Sequence, residues 1–422
     1  MTNEQQVQVV YNYLDKTNFC AMPFFHITIE SNGDVKPCCL AHPLKNQDGT
    51  NLNIAEKSIS DIIDHPTHIE FRESFLNNQN NPACKPCWGK FQNDKFSGRY
   101  MYSVSSLLID KVLAIANNES APKQNLLWLE IKAGNRCNLA CRICGLWNSS
   151  KWLKETYDIN KSLKKDYPIF KQSPELFYNR QAKWIDDIDF WRNVDKFDDI
   201  RIIHLMGGEP LMIREHYEML KIISERFDPK QIDIWYNTNG TIIPNKEDEE
   251  LYSKFKNIIW FLSIDDFGDK FEYQRKGGSW NEVKENLKYF CGKTNYKTTL
   301  DPTISVFNIF TLDEFLMEVQ DMQFITSIIP HYVTSVDGIW NVRGLHSDVK
   351  QVITQHLTKS KSKIQTKYHK IIDDALEFMN SIDFWSEDLD KKRQYEIDFI
   401  DKARNESFVK TFSKMAKLLN YE

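Results

Sequence analysis

The sequence predicts an α/β protein in which a cysteine-rich segment precedes a parallel sheet and charged helices follow it. Short apolar strands alternate with amphipathic helices after residue 126, and eight of the nine cysteines lie within the first 144 residues. The last part of the chain combines helical periodicity with high charge. Strands that alternate with helices are typical of parallel βαβ units, which build either a barrel or an open sheet.

Composition excludes several classes of protein. The chain has 422 residues, of which 41% are hydrophobic, so it can bury a sizeable core. Its net charge of −5 argues against a general nucleic-acid-binding surface. No run approaches the ~18 apolar residues that a membrane span needs, and the first twenty residues lack the pattern of a secretory signal. We therefore expect a cytoplasmic protein without a membrane partner and with reduced thiols.

Residues 1–95 are predicted to form a small cysteine-rich α+β domain. The segment HITIESNGDVKPCC reads as a hairpin because apolar residues alternate before a glycine turn and a short return strand follows. Residues 58–77 have the apolar spacing of a helix. Residues 96–125 are predicted to be a helical connection to the next domain.

The core of the chain, residues 126–345, is predicted to hold the alternating strands and helices. The predicted strands are 126–131, 200–206, 232–236, 258–264 and 299–306, with a sixth beginning near 326–329. The predicted helices between them include 214–227 and 280–290. Residues 346–422 are predicted to be helices that cover this core, and docking of a partner is the second interpretation.

The spacing CxxxCxxC places Cys137, Cys141 and Cys144 on one loop directly after a strand. A structural zinc site uses four protein ligands. A four-iron cluster held by only three thiolates leaves one iron without a protein ligand, and such an iron can bind a substrate or cofactor. The alternatives are a zinc loop with a distant fourth ligand, or reduced structural thiols.

A second motif, Gly207-Gly208-Glu209-Pro210, ends the next predicted strand. Its two glycines allow a close approach of the backbone to a ligand, and its carboxylate can accept a hydrogen bond from an ammonium group. Alone, the motif is an ordinary turn with an acid near a helix N-terminus. Because both motifs follow consecutive strands, they belong to the edge of the sheet where α/β folds bind ligands.

Together these two motifs resemble the radical S-adenosylmethionine (radical SAM) superfamily, over roughly residues 125–345. The resemblance implies a partial (β/α)6 TIM-like barrel and a [4Fe–4S] cluster on Cys137, Cys141 and Cys144. It also implies that the open iron binds S-adenosylmethionine (SAM), and that Gly207–Pro210 hold the methionine amine. One electron then cleaves the cofactor, and the resulting 5′-deoxyadenosyl radical abstracts hydrogen from a substrate.

The resemblance implies further cofactor-binding residues at later strand ends. Asn237, in Asn-Thr-Asn-Gly, matches the third strand end, and Ser263 and Asp265 match the fourth. Arg275 matches an arginine that often approaches the methionine carboxylate. For these positions a solvated surface role is the alternative. Ile143 departs from the aromatic residue that usually precedes the third cysteine of the motif.

The N-terminal cysteines form a second set, in which Cys20, Cys38, Cys84 and Cys87 supply four thiolates and Cys39 is a spare or alternative ligand. A CxxC pair is a strong metal signal, for which zinc is the natural assignment on spacing alone. The surrounding residues resemble the auxiliary iron–sulfur domains named SPASM and twitch. Five cysteines imply one auxiliary [4Fe–4S] cluster. Such domains commonly follow the barrel, whereas this one precedes it.

The sequence thus predicts a radical SAM enzyme that acts on an unknown peptide, protein or small molecule. The resemblance implies a reductant such as flavodoxin or ferredoxin as its partner. The alternative function is a non-catalytic iron–sulfur electron carrier or a zinc-stabilised interaction protein.

Overall fold

A computed structural model describes residues 2–88, 97–145, 148–152, 154–156, 183–322, 325, 327–333 and 338–421. The chain divides into two compact units. The first comprises Met1–Asn135, Tyr178–Trp235 and Asn245–Asn257, and the second comprises Arg136–Phe177, Tyr236–Pro244 and Ile258–Glu422. The predicted domain boundaries at residues 95, 125 and 345 stay predictions.

Eight of the described strands form one sheet, in the order β11-β9-β7-β6-β5-β3-β1-β2, and two ladders pair β10 with β12 and β4 with β8. The strands are β1 (His26–Ile29), β2 (Val35–Lys36), β3 (Trp128–Lys132), β4 (Ala140–Cys141), β5 (Ile202–Met206), β6 (Asp233–Thr238), β7 (Asn257–Leu262), β8 (Arg275–Lys276), β9 (Tyr296–Leu300), β10 (Thr303–Ile304), β11 (Ser327–Ile328) and β12 (His331–Tyr332). The six predicted strands appear in sequence order as β3, β5, β6, β7, β9 and β11. The predicted α/β class is therefore confirmed.

The described helices precede, separate and follow these strands along the chain. They are α1 (Asn3–Lys16), α2 (Met22–Phe25), α3 (Ile59–Ile63), α4 (Pro66–Leu76), α5 (Lys85–Trp88), α6 (Gly98–Ser103), α7 (Ile109–Ala116), α8 (Ile188–Arg192), α9 (His216–Arg226), α10 (Lys246–Tyr252), α11 (Gly268–Gln274), α12 (Trp280–Cys291), α13 (Leu312–Gln320), α14 (Ser347–Ser360), α15 (His369–Ser381), α16 (Glu387–Arg404), α17 (Phe408–Thr411) and α18 (Ser413–Leu418). No helix in the described ranges is long and apolar enough to cross a membrane.

In the first unit, the predicted N-terminal hairpin is confirmed and extends the sheet. β1 pairs antiparallel with β2, with Ile29 opposite Val35. On its other side β1 pairs in parallel with β3, and β3 pairs in parallel with β5. The main core of this unit contains Phe19, Phe24 and Trp128. The carboxyl ends of β1, β3 and β5 consequently lie at the same edge.

Two segments differ in detail from the sequence prediction. The single helix expected over 58–77 is two helices, α3 and α4, because Pro66 cannot donate the backbone hydrogen bond that would continue α3. The strand expected over 299–306 starts earlier, as β9, and is followed by the separate strand β10 after Pro302. In the sixth predicted strand, Thr326 lies outside the described residues.

The second unit combines parallel strands with the helices of the C-terminal region. β7 pairs with β9 and β9 with β11, both in parallel. α12 buries Trp280, Val283, Leu287 and Phe290 along one face. In the C-terminal region, Arg393 of α16 is buried, and its guanidinium donates to the carbonyl oxygens of Ile339 and Gly344. The helical character predicted for residues 346–422 is confirmed.

Candidate metal centres and cofactor site

The three-cysteine loop lies in the second unit and is held by a short ladder and by side-chain hydrogen bonds. Cys141 belongs to β4, which pairs antiparallel with β8 so that Cys141 lies opposite Arg275. The Ser150 hydroxyl accepts a hydrogen bond from the Cys137 amide at 3.1 Å, and the Cys144 amide donates to the Cys141 carbonyl at 3.0 Å. These hydrogen bonds hold the backbone at all three cysteines.

The thiols of this loop are buried close enough to influence one another. Burial raises the pKa of the Cys144 thiol to about 12, and the neighbouring Cys141 and Cys137 sulfurs add to that shift. Burial also raises the pKa of Cys141, whereas the positive charge of Arg275 lowers this pKa. A cluster must displace these protons to form thiolate bonds. Arg275 supplies positive charge beside the sulfurs that become thiolates.

Arg275 and Asp265, both expected at the cofactor site, form a buried ion pair next to the loop. Arg275 Nη2 lies 2.8 Å from Asp265 Oδ2, and Arg275 Nη1 lies 3.9 Å from Cys141 Sγ. The other Asp265 oxygen, Oδ1, accepts a hydrogen bond from the Thr303 amide at 2.8 Å. The structure thus brings together three residues that the sequence assigned separately.

The asparagines at the carboxyl end of β6 and directly after it contact groups that the sequence analysis missed. Asn239 Nδ2 donates to Asn138 Oδ1 at 2.9 Å, and Asn138 lies inside the cysteine motif. Asn237 Nδ2 donates to Asp301 Oδ2 at 3.0 Å, and His331 Nε2 lies 2.8 Å from Asp301 Oδ1. The sequence analysis placed Asp301 inside the predicted strand 299–306, so it gave no signal that Asp301 follows a strand end.

Ser263 follows the end of β7. Its amide donates to the carbonyl oxygen of Thr238, the last residue of β6, at 2.9 Å. This hydrogen bond holds the backbone of Ser263 against the end of β6, two residues before Asp265. A role of its hydroxyl in cofactor binding stays a prediction.

The glycine-rich motif lies in the first unit, where its first glycine permits a close backbone contact. Gly207 has a φ of +124°, and a Cβ added to it would lie 2.7 Å from the Gly134 carbonyl oxygen. The Gly208 amide donates to that same oxygen at 3.0 Å. Glu209 is fully buried, and its Oε1 accepts from the Leu211 amide at 3.2 Å. The motif therefore joins the ends of β3 and β5, and the assigned role of Gly207–Pro210 toward a ligand stays a prediction.

The N-terminal thiols are brought together in the first unit. Burial raises the pKa of Cys20, and the Cys84 and Cys87 sulfurs raise it further. Burial likewise raises the pKa of Cys38, with contributions from Cys39, Cys20 and Cys84. Cys84 belongs to a buried hydrophobic cluster against which Cys20, Cys38 and Cys87 also pack. Their assignment as ligands of one metal centre stays a prediction.

Cys39 has different surroundings from Cys38. Its Sγ lies 3.1 Å from the Tyr102 hydroxyl. Burial raises the pKa of Cys39 to about 12, and the negative charge of Glu130 contributes to that shift. The contacts of Cys39 favour Cys38 as the fourth member of the N-terminal thiol group.

The sequence analysis also missed a buried cluster around Glu130, which lies on the same face as Thr28 and His204 through strand register. Glu130 Oε2 lies 3.7 Å from His26 Nε2 and 3.6 Å from His204 Nδ1. Burial alone would raise the pKa of Glu130, but His26 and His204 lower this pKa to about 2. No periodic pattern signals such a cluster, because its members lie on three strands far apart in sequence.

Both thiol groups suit iron–sulfur chemistry by donor type, since thiolates are the soft ligands that iron–sulfur clusters use. Within the described ranges, no three Cys, His, Asp or Glu side chains converge on the position of a single metal ion. The three-thiol group of the second unit and the four-thiol group of the first differ in the number of ligands. That the first leaves one iron open to an exogenous ligand, and that the second supplies all four protein ligands, stay predictions.

Comparison with family models gives two matches. Residues 131–316 match the model of the radical SAM superfamily, and residues 20–88 match the SPASM model, an iron–sulfur cluster-binding domain. The first range contains the three-cysteine loop, the glycine-rich motif and Arg275. The second contains the N-terminal thiol group.

Solved structures with detectable similarity are distant in sequence. They include native anSMEcpe with bound AdoMet, at 12% identity over 61% of this chain and 62% of that chain, with a TM-score of 0.34. Streptococcus suis SuiB bound to precursor peptide SuiA has 18% identity over 62% of this chain and 54% of that one, with a TM-score of 0.34. TYW1 with a lysine-pyruvate adduct bound has 13% identity over 59% of this chain and 71% of that one, with a TM-score of 0.29. The chain spans less than two thirds of the length of the first two, and no curated protein matches it.

Proposed function

We propose that this chain, which carries a radical SAM domain and a SPASM-type iron–sulfur domain, is an enzyme that cleaves SAM reductively. The radical SAM domain implies a [4Fe–4S] cluster and SAM, and the SPASM domain implies auxiliary iron–sulfur chemistry. Bound together, the cluster and SAM supply one-electron cleavage of the sulfonium C–S bond, which yields methionine and a 5′-deoxyadenosyl radical that abstracts hydrogen from a substrate.

The observation that carries the proposal is the three-thiol loop. Cys137 is buried, and Cys141 and Cys144 are half-buried, in one loop next to the buried Arg275. Three thiolates leave one iron without a protein ligand, which is the position that the amine and carboxylate of SAM would occupy. An electron carrier has no use for an open iron.

The remaining residues of the second unit have roles in holding the cofactor. Arg275 offers a guanidinium for the methionine carboxylate, and Asp265 fixes its orientation at 2.8 Å. The Asp265 carboxylate and the Asn237 and Ser263 side chains are the polar groups proposed for the ribose and carboxylate. In the first unit, Gly207–Pro210 are proposed to bind the amine, for which Glu209 supplies a carboxylate.

The four N-terminal thiolates are proposed to hold an auxiliary [4Fe–4S] cluster on Cys20, Cys38, Cys84 and Cys87. Four thiolates fill the cluster's protein-ligand positions, so this group would not bind SAM. It would serve as an electron relay or as a structural brace of residues 1–95. Reduction of the SAM cluster requires a small redox protein such as flavodoxin or ferredoxin as electron donor, and the proposed substrate is a peptide, protein or small molecule.

The test is cleavage of SAM by reduced, anaerobically purified protein. Wild-type protein should release methionine and 5′-deoxyadenosine, measured by mass spectrometry. The triple variant Cys137→Ala, Cys141→Ala, Cys144→Ala should release neither. Cys291→Ala, which removes a cysteine outside both thiol groups, should cleave SAM as the wild type does. Undiminished cleavage by the triple variant would reject the assignment, and colourless wild-type protein with bound zinc would favour the interaction protein.

A further inference from the structure

The C-terminal segment of the second unit reaches into the cysteine motif through Arg142, which lies between Cys141 and Cys144. The Arg142 side chain is fully buried. Its Nη2 donates to Asp401 Oδ1 at 2.5 Å and to Glu406 Oε2 at 2.6 Å. Two carboxylates from the end of α16 and the turn after it therefore compensate one guanidinium in the loop that carries the thiols.

The same guanidinium is also fixed by Tyr273. It lies over the Tyr273 ring at 3.6 Å from the centroid, and its Nε donates to the Tyr273 carbonyl oxygen at 3.1 Å. The Tyr273 hydroxyl in turn donates to Asp401 Oδ1 at 2.8 Å. Lys276 Nζ donates to Glu406 Oε1 at 2.7 Å. Each carboxylate thus has a second donor that holds it in place for Arg142.

A second arginine, Arg404 at the end of α16, contacts the backbone of the same loop. Its Nη2 donates to the Ala140 carbonyl oxygen at 2.8 Å, one residue before Cys141. Glu155 accepts from Arg404 at 2.8 Å through both carboxylate oxygens. Trp152, which lies under the Arg404 guanidinium, donates to the Cys141 carbonyl at 2.7 Å.

We propose that Asp401, Arg404 and Glu406 form a clamp that positions the three-cysteine loop for cluster binding. The proposal rests on the function proposed above. A buried guanidinium is stable only while its counter-charges stay in place, so the loop conformation that buries Arg142 requires the clamp. These three are positioning residues, because they act on the cluster through Arg142 and the backbone of Ala140 and Cys141.

Loss of both carboxylates has two consequences. Arg142 would leave its buried position to regain water and would move the loop between Cys141 and Cys144, which lowers cluster occupancy. Where a cluster is retained, the uncompensated positive charge of Arg142 stabilises the reduced form and raises the midpoint potential. A purely structural role for the C-terminal segment would not raise the potential.

The experiment compares two double variants that remove the same two charges from one segment. Asp401→Asn with Glu406→Gln opens the clamp. Glu387→Gln with Asp388→Asn changes exposed acids at the start of α16, which form ion pairs with the exposed Lys391 and Lys392. Iron and sulfide per chain are measured after anaerobic reconstitution. The clamp variant should lose about four of about eight irons, as expected from one lost four-iron cluster, and the control should keep all of them.

A second readout uses cluster-free protein. Iodoacetamide labelling of Cys141 and Cys144, followed by mass spectrometry, measures how well the loop is closed. The clamp variant should label about tenfold faster than the control, which corresponds to 1.4 kcal/mol. If circular dichroism shows that the double variant does not fold, the single variant Glu406→Gln, which keeps Asp401, is used instead. The midpoint potential of its cluster is then compared with that of Glu387→Gln.

The proposed clamp would be overturned if the clamp and control variants had equal labelling rates and equal iron contents. It would also be overturned if the clusters of the two single variants had equal midpoint potentials. The labelling result does not depend on a cluster. If wild-type protein binds no iron at the three-cysteine loop, the proposed function is rejected. If the clamp variant still labels faster than the control in that case, the clamp stands.

Discussion

Replacement of Gly207 by alanine should destabilise the protein even when no cofactor is bound. A methyl group at Gly207 would lie 2.7 Å from the Gly134 carbonyl oxygen and 3.0 Å from the Ala133 amide nitrogen. Both are backbone atoms, so neither can rotate away as a side chain would. The carboxyl ends of β3 and β5 would have to separate, and the hydrogen bond from the Gly208 amide to Gly134 would lengthen.

A matched control separates this contact from the effect of backbone conformation. Gly49 also has a positive φ, of +86°, but no atom lies within 4 Å of its added Cβ. A side chain in a disfavoured backbone conformation costs about 1–3 kcal/mol, and both variants carry this cost. Forced overlap in a packed region adds about 1–3 kcal/mol, which only Gly207→Ala incurs. Gly207→Ala should therefore lose more free energy of unfolding than Gly49→Ala, by about 1–3 kcal/mol.

Urea denaturation of the two variants, followed by circular dichroism and tryptophan fluorescence, measures this difference. Equal losses would refute the reasoning, because they would mean that β3 and β5 tolerate a side chain between their ends. If Gly207 served only the approach of a ligand, Gly207→Ala would match Gly49→Ala in stability and differ from it only in SAM binding.

Three further predictions concern the glycine-rich motif, the Asp301–His331 pair and the N-terminal thiol group. Gly208→Val should weaken SAM binding at least tenfold, about 1.4 kcal/mol, with unchanged iron content, and unaltered binding by calorimetry would show that the motif is only a turn. Burial lowers the pKa of His331, but the effect of Asp301 is larger, so the pKa is raised overall. The Asp301–His331 pair therefore stabilises the fold fully at pH values below the ordinary histidine pKa. This stabilisation is lost as the pH rises through the raised pKa of His331. Asp301→Asn should lower the His331 pKa in an NMR titration, and an unchanged pKa would contradict the pairing. Cys84→Ala with Cys87→Ala should reduce about eight irons per chain to about four and destabilise residues 1–95, whereas about four irons plus one zinc in the wild type would refute the auxiliary cluster.

Local patterns in the sequence were enough to predict the order of strands, whereas the assignment of the cysteines to two metal centres stays a prediction. Strand alternation depends on neighbouring residues, and the cysteines belong to short motifs whose spacing is visible directly. The hairpin that ends at Cys38 and Cys39 was predicted from a turn signal and is confirmed by the pairing of β1 with β2. What the sequence did not reveal is that β1 also joins β3, since parallel pairing leaves no local signal.

The residues that support the candidate site were beyond sequence reasoning for the same physical reason. Arg142 and Asp401 are 259 positions apart and meet only in the folded chain. Asn138, inside the cysteine motif, was not distinguished from its neighbours until its contact with Asn239 was known. Glu130 is one acid within an apolar strand, and its significance depends on the histidines of two other strands.

An iron left open by Cys137, Cys141 and Cys144 should respond directly to SAM. The most direct measurement is electron paramagnetic resonance of the reduced Cys84→Ala, Cys87→Ala variant, in which only the three-cysteine cluster contributes. Titration with SAM should change the signal and reach saturation, because the amine and carboxylate of SAM bind the open iron. Methylthioadenosine, which lacks both groups, should leave it unchanged. A cluster signal that SAM does not alter would contradict the assignment of an open iron to this loop.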